Sequence, residues 1–331
     1  MESNVMSRFL ITGATGRIGK EVVSRLGKVK DVTVRVGLRG GDAHPKADWL
    51  RKLGAHEVVA FDLTDESTWS SALDGVTAIY SASLDSLIQQ HLQFCKKLNP
   101  SYIKHIVRIS CFGAETNTAL YDPNIHASVS GAAIPLMLQH YWWSEDACIK
   151  SNIPTTSIRA NFFMNHLLKN EQERIKNEGV FSVPLGSCKN SFCCTNDVAE
   201  AAAVCLIEGP EKHGNKFYDI TGPQSQSMYD VAAVLSKVMK KTITYEPQDI
   251  DQFKKDFGST RAEFFEYLRN GFYTRCSPDF YNLTGRRPTT YEEYLTTKGQ
   301  AGETGFEELF QAGIFKKGED KFANLANVKR D

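Results

Sequence analysis

Ser7-Arg8-Phe9-Leu10-Ile11 runs directly into Thr12-Gly13-Ala14-Thr15-Gly16-Arg17-Ile18-Gly19 and then into Lys20-Glu21-Val22-Val23. An apolar strand, a glycine loop and an amphipathic helix follow one another without a spacer. Gly13 lets the chain turn sharply. Gly16 lets backbone N–H groups approach a pyrophosphate, and Gly19 lets the helix pack close to the strand. The helix start at Arg17 and Ile18 offers unpaired donors and a partial positive charge, a setting for the phosphates of a dinucleotide, with Thr15 alongside. The plainer alternative is that the glycines only permit tight strand–helix packing.

Outward from this loop, strand and helix signals alternate. Val32 to Val36, Glu57 to Phe61, Thr77 to Tyr80, His105 to Ile109 and Thr155 to Arg159 read as strands, with helical patterns at Lys46 to Leu53, Glu66 to Leu73, Leu84 to Leu98 and Leu136 to Ser151. Such alternation predicts an α/β fold of Rossmann type, a doubly wound parallel sheet with helices on both faces. Ligands then collect at the strands' C-terminal ends, where the strand order reverses. Cys111 to Ile134 reads as a long active-site loop. Phe162 to Glu178 is expected as a helix, Ser191 to Cys194 as a short strand and Val198 to Ile207 as a helix. The expected division is a dinucleotide-binding domain over 1–160, with strands returning from about 190–220, a smaller α/β substrate lobe over 161–297, and a tail over 298–331. In the tail Phe306, Leu309 and Phe310 have the spacing of a docked helix, serving either as a lid or as surface packing.

The 331 residues carry 39 basic and 39 acidic side chains, so no global field favours nucleic acid or an anionic membrane. The first strand begins almost at once, and no apolar run approaches a membrane span, which makes cytoplasmic the expected location. Eight cysteines are scattered without zinc spacing, so no metal is expected; Cys193-Cys194 reads as a reduced pair in a buried strand, and Cys111 as either a reactive thiol or packing. No Gly-x-Ser-x-Gly elbow appears, and the glycine loop lacks the Lys-Ser/Thr ending of a nucleoside triphosphate site.

An NAD site normally ends its second strand in a carboxylate about twenty residues past the loop. Here the segment is Val36-Gly37-Leu38-Arg39, and a guanidinium suits a 2′-phosphate, so NADP(H) is expected over NAD(H). Arg17 offers a second cation; the alternative is that both arginines are surface residues. Asp62 and Leu63, past the third strand, are placed to meet the adenine, and Ala82 and Ser83, past the fourth, to border the nicotinamide ribose.

The glycine loop, Phe61-Asp62-Leu63, Asp74-Gly75-Val76, the stretch from Ser151 to Asn165, Thr221-Gly222-Pro223 and the run from Leu283 to Tyr294 together resemble the NmrA-like group of atypical short-chain dehydrogenases/reductases. Within the group the chain is most similar to NAD(P)H quinone and azo reductases and to ergot-alkaloid imine reductases. The resemblance implies a Rossmann fold, NADP(H) and hydride transfer, although some members sense NADP(H) and bind a protein partner. One departure stands out. Short-chain dehydrogenases usually carry Tyr-x-x-x-Lys, whereas this chain has Tyr141-Trp142-Trp143-Ser144-Glu145, and a carboxylate opposes a phenolate instead of stabilising it.

Tyr141 is therefore a candidate proton donor or orienter, or simply pocket wall, with His140 as a further proton source. Ser110 is a candidate hydroxyl beside the substrate, or a strand-end cap. Phe162 and Phe163 are expected to roof a flat ligand, with Phe163 alternatively core. Glu145 is expected ionised on a solvated or hydrogen-bonded face. The expected activity is NADPH-dependent reduction of a small electron-poor acceptor such as a quinone, azo compound or imine, and the alternative is a non-catalytic NADP(H) sensor with a protein partner.

Overall fold

The computed structural model describes residues 7–83, 87–114, 136–166, 168, 170–269 and 271–310. Seven strands form one parallel sheet: β1 Ser7–Ile11, β2 Val32–Leu38, β3 Glu57–Ala60, β4 Ala78–Ser81, β5 His105–Cys111, β6 Thr155–Ala160 and β8 Lys216–Ile220. Their order is β3-β2-β1-β4-β5-β6-β8. The chain winds outward from β1 to β3, crosses back, and winds outward again from β4, so the order reverses between β1 and β4. The expected α/β Rossmann-type sheet is thus present. Leu10, Ile11, Val34 and Val36 are fully buried, as continuous apolar strands must be when helices cover both faces.

The glycine-loop helix Arg17–Leu26 buries Val22, Val23 and Leu26 against the helix Thr195–Glu208. Ala199, Ala202 and Ala203 on the latter are small enough for the two helices to approach closely. On the other face Phe94, Cys95 and Cys148 come from the helices Ile88–Lys97 and Leu136–Lys150, which pack together over β5.

A second core lies past β6. A parallel pair, β7 Val180–Phe181 and β9 Thr244–Tyr245, and the helices Met228–Met239, Ile250–Phe257 and Ser259–Arg269 gather Phe181, Leu235, Phe253, Phe264 and Tyr273. Two sequence expectations fail here. Phe162 to Glu178 is not one helix; only Gln172–Asn177 is α-helical. Nor is Ser191 to Cys194 a strand, since Cys193 makes only a bridge with Phe163. The two errors share one cause. The Phe162 carbonyl accepts from Cys193 N–H at 2.8 Å, Met164 N–H donates to the Cys193 carbonyl at 3.0 Å, and the Asn161 side chain takes the Phe162 N–H at 2.6 Å. Backbone groups that a helix would pair along its axis are paired sideways instead. The helix expected over Leu84 to Leu98 is described from Ile88, and most of the expected active-site loop, 115–135, lies outside the described residues.

The segment 298–310 crosses back over the glycine-loop helix. Glu21 accepts the N–H groups of Gln300 and Ala301, each at 2.8 Å. Lys20 pairs with Glu303 and, at 3.3 Å, with Glu308 on the short helix Gly305–Leu309. Glu308 is buried and also accepts from Asn165 at 3.1 Å and from the Tyr294 hydroxyl at 2.9 Å. Among the described residues no helix is long and apolar enough to cross a membrane.

Candidate functional site

A groove of about 760 Å³ runs along the C-terminal ends of β1, β2, β3 and β4. Its walls contain Gly13, Thr15, Gly16, Arg17, Ile18 and Gly19 from the loop and helix start, Arg39 just past β2, Asp62 and Leu63 past β3, and Ala82 and Ser83 past β4. Gly13 has φ +63°, and a Cβ there would press on Ala82 at 3.1 Å; a Cβ on Gly19 would collide with the Gly13 carbonyl. The loop is therefore folded onto itself so tightly that its bare backbone forms the floor of the groove.

Thr12 holds this geometry. Its hydroxyl lies 3.0 Å from the carbonyls of both Tyr80 and Ala82 and accepts the Ala82 N–H at 2.8 Å, which ties the end of β1 to the end of β4 at the point of reversal. Nothing in the glycine pattern singled it out. Arg39 is exposed at the rim and has no ion pair among the described residues. Asp62 spends one oxygen on its own turn, accepting from Thr64 N–H at 2.9 Å and Thr64 Oγ1 at 2.8 Å. Ser83 Oγ is shielded from solvent and has no partner among the described residues. The donor set, the bare loop and the orphaned Ser83 hydroxyl fit a dinucleotide.

A second cavity, about 110 Å³ and aromatic, lies beyond β5 and β6. It is bordered by Ser110, Cys111, Tyr141, Phe162 and Phe163, with Phe253, Phe264 and Phe265 from the second core. Phe162 stacks on Phe264 at 5.3 Å between ring centroids and on His166 at 5.5 Å. Ser110 Oγ is buried and has no partner among the described residues. Strand alternation puts Ser110 on the face of β5 that meets the helix carrying Tyr141. Phe163 and His166 border both cavities and form the wall between them. His166 and Arg261 had no sequence signal: each reaches the site from an irregular or distant segment.

One expectation about a titrating group changes. His140 lines neither cavity and is buried; desolvation, with the fields of Arg108 and His91, lowers its pKa to about 3. It is therefore neutral at physiological pH and is no proton source. Of its two expected settings, Glu145 takes the hydrogen-bonded one. It is fully buried in a bidentate pair with Arg159, Oε1 to Nε at 3.0 Å and Oε2 to Nη2 at 2.7 Å. Its charge is therefore matched by Arg159, which further stacks on Phe217 at 4.2 Å.

His166 is likewise held neutral, its pKa lowered to about 4 by desolvation and then by Arg17 and Arg261, and His105 falls to about 4 by desolvation and then by His213. Unfolded histidines take up protons near pH 6.5, whereas these three refuse them until pH 3–4. Stability should accordingly fall as pH drops below 6.5, by about 1.4 kcal/mol per pH unit for each histidine. Depressed carboxylates such as Glu293, held at about 2 by Arg287, add their loss only below about pH 4.5. Urea midpoints measured from pH 7.5 to 5 check this, and a flat profile over that range refutes it.

The sequence profile of the NmrA-like family matches residues 6–295. A "Prestalk A differentiation protein A" of Dictyostelium discoideum is 25% identical over 310 residues, covering 89% of this chain and 94% of the relative. An NAD(P)H azoreductase of Xenophilus azovorans is 27% identical over 304 residues, covering 88% and 98%. The structure of Citrobacter sp. triphenylmethane reductase complexed with NADP(H) superposes with a TM-score of 0.66 at 23% identity, covering 86% of this chain and 98% of that one. With the match running from before β1 to the helix Tyr291–Thr296, the chain belongs to the NmrA-like family.

Proposed function

We propose that this protein is an NADPH-dependent oxidoreductase that passes hydride to a small, flat, electron-poor acceptor such as a quinone, azo compound or imine. The observation that carries the reading is the shared wall of Phe163 and His166 between the dinucleotide groove and the aromatic cavity. The resemblance to an azoreductase that uses NAD(P)H supports it. Residues 1–160 with the returning β8 carry the cofactor in this reading, and 161–297 enclose the acceptor.

NADPH supplies the hydride. The backbone of Gly13, Thr15, Gly16 and Ile18 holds the pyrophosphate at the helix start, Arg39 and Arg17 supply cationic charge, with Arg39 at the 2′-phosphate, and Asp62 and Leu63 border the adenine. Ala82 and Ser83 bound the ribose next to the reacting ring. Phe162 and Phe163 hold the acceptor flat, and the cavity's size, on the scale of one ring, limits it to near-attack positions. Ser110 and Tyr141 offer hydroxyls to the acceptor's heteroatom. With His166 neutral, the proton that completes the reduction comes from water or through one of these hydroxyls, which suffices for an acceptor electrophilic enough to take hydride first.

NADPH oxidation followed against a panel of quinones, azo dyes and cyclic imines, with NADH alongside, tests this. Turnover well above the enzyme-free blank supports it. Tight NADPH binding with no turnover across the panel transfers the assignment to the NADP(H) sensor with a protein partner, which the missing Tyr-x-x-x-Lys pair favours.

A further inference from the structure

His91 and Cys95 sit one turn apart on the helix Ile88–Lys97, and Cys148 faces them from the helix Leu136–Lys150. All three are buried. Cys95 Sγ lies 3.8 Å from Cys148 Sγ, and His91 Nε2 lies 3.5 Å from the first and 3.7 Å from the second. Zinc–sulfur and zinc–nitrogen bonds of about 2.3 and 2.0 Å at tetrahedral angles require edges of about 3.8 Å between sulfurs and about 3.5 Å between sulfur and nitrogen. The three donors already trace one face of such a site without a ligand moving. Trigonal coordination of a monovalent ion needs nearly the same triangle.

A second observation comes from the strand beneath. Arg108 on β5 is only 1% exposed, has no ion pair among the described residues, donates Nη1 to the Ser81 carbonyl at 3.2 Å, and leaves Nε without a partner. It shares a strand face with Ile106, which packs in the same cluster as Cys95 and Cys148, and its charge acts on both thiols. A buried cation without a counter-charge is costly, and two thiolates around a monovalent ion supply one. His140 also bears on His91 from the neighbouring helix and is neutral. A cleft of about 280 Å³ bordered by Leu92, Cys95, Asp146 and Ala147 reaches Cys95 from the surface.

We propose that His91, Cys95 and Cys148 form a binding site for a thiophilic d10 metal ion, Zn²⁺ or Cu⁺, separate from the two cavities and independent of the reaction proposed for them. On binding, both thiols lose their protons to solvent and the metal takes two sulfur and one nitrogen donors; no oxidant or reductant is involved. Soft thiolates select these ions, and neither changes oxidation state on binding. With Zn²⁺ the cluster is neutral, and with Cu⁺ it carries one negative charge that Arg108 balances.

The test uses the full chain, reduced and stripped with a chelator. Zn²⁺ and Cu⁺ are titrated separately against chromophoric competitors, and Co²⁺ is used as a spectroscopic stand-in for zinc. The expected result is one equivalent bound in at least one arm, with thiolate-to-cobalt charge-transfer absorption in the zinc arm. Cys95→Ser and Cys148→Ser should each weaken binding by about a hundredfold or more, while Cys193→Ser, a buried cysteine outside the triad, leaves it unchanged. The arm that binds identifies the ion. Failure of the unmodified protein to bind either ion, or binding that survives both triad substitutions, overturns the proposal whatever the stability of the variants.

Discussion

Glu145→Ala is expected to destabilise the fold by about 3–5 kcal/mol, enough to lower the melting temperature by roughly 4–7 °C. The substitution removes little packing. Its cost arises because Arg159, at 6% exposure, would keep a full positive charge inside the protein with its bidentate partner gone. The size of the effect therefore depends on leaving one partner behind. Replacing both at once, as Glu145→Leu with Arg159→Met, should recover most of the loss, because well-packed apolar residues often substitute for a buried pair at little net cost. Thermal melts of the two single variants and the double one decide the matter. If the double variant is as unstable as the sum of the singles, the loss is one of packing and the charge argument is wrong. The result also bears on catalysis. Glu145 is four residues after Tyr141 on one helix, so its pair with Arg159 fixes the helix that places Tyr141 at the border of the aromatic cavity.

Arg39→Asp should raise the dissociation constant for NADPH by about a hundredfold and change that for NADH by no more than about threefold. A charge-assisted hydrogen bond to a phosphate contributes about 1.5–3 kcal/mol, and the new carboxylate adds repulsion. The same carboxylate would stand where NAD sites place theirs, ready to accept from ribose hydroxyls, so NADH has nothing to lose. Nucleotide binding followed by fluorescence gives both constants. Equal losses for the two nucleotides would refute the 2′-phosphate role of Arg39. Because Arg39 is exposed and has no ion pair among the described residues, the substitution leaves the fold intact.

The parts of this protein that sequence made legible are those fixed by local chemistry. Gly13, Gly16 and Gly19 have spacing that only a tight loop explains, and Arg39 and Asp62 follow from counting strand ends along a parallel sheet. Ser110, Tyr141, Phe162 and Phe163 were each accessible as positions after a strand or on a helix, and the structure gathers all four around one cavity. What stayed hidden depends on partners far along the chain. The stretch after Asn161 has helical composition, yet its backbone bonds go to Cys193, thirty residues on. Glu145 reads as a charge on either a solvated or a hydrogen-bonded face until Arg159, on a different element, is placed against it. His91, Cys95 and Cys148 show no ligand spacing because the third residue arrives by helix packing.

The fastening of residues 298–310 onto the glycine-loop helix has a consequence for how the molecule is made. Glu21 finds its backbone donors 279 and 280 residues later, and Lys20 finds Glu303 283 residues later. On a ribosome adding about 5–20 residues each second, the glycine-loop helix waits tens of seconds after its own synthesis with a lysine and a glutamate bare on a face destined for burial. The glycine-loop helix is thus synthesised long before the segment that covers it, and until then that face of the helix stays uncovered. Chaperone capture during synthesis should centre on that face and end once the strap has been translated.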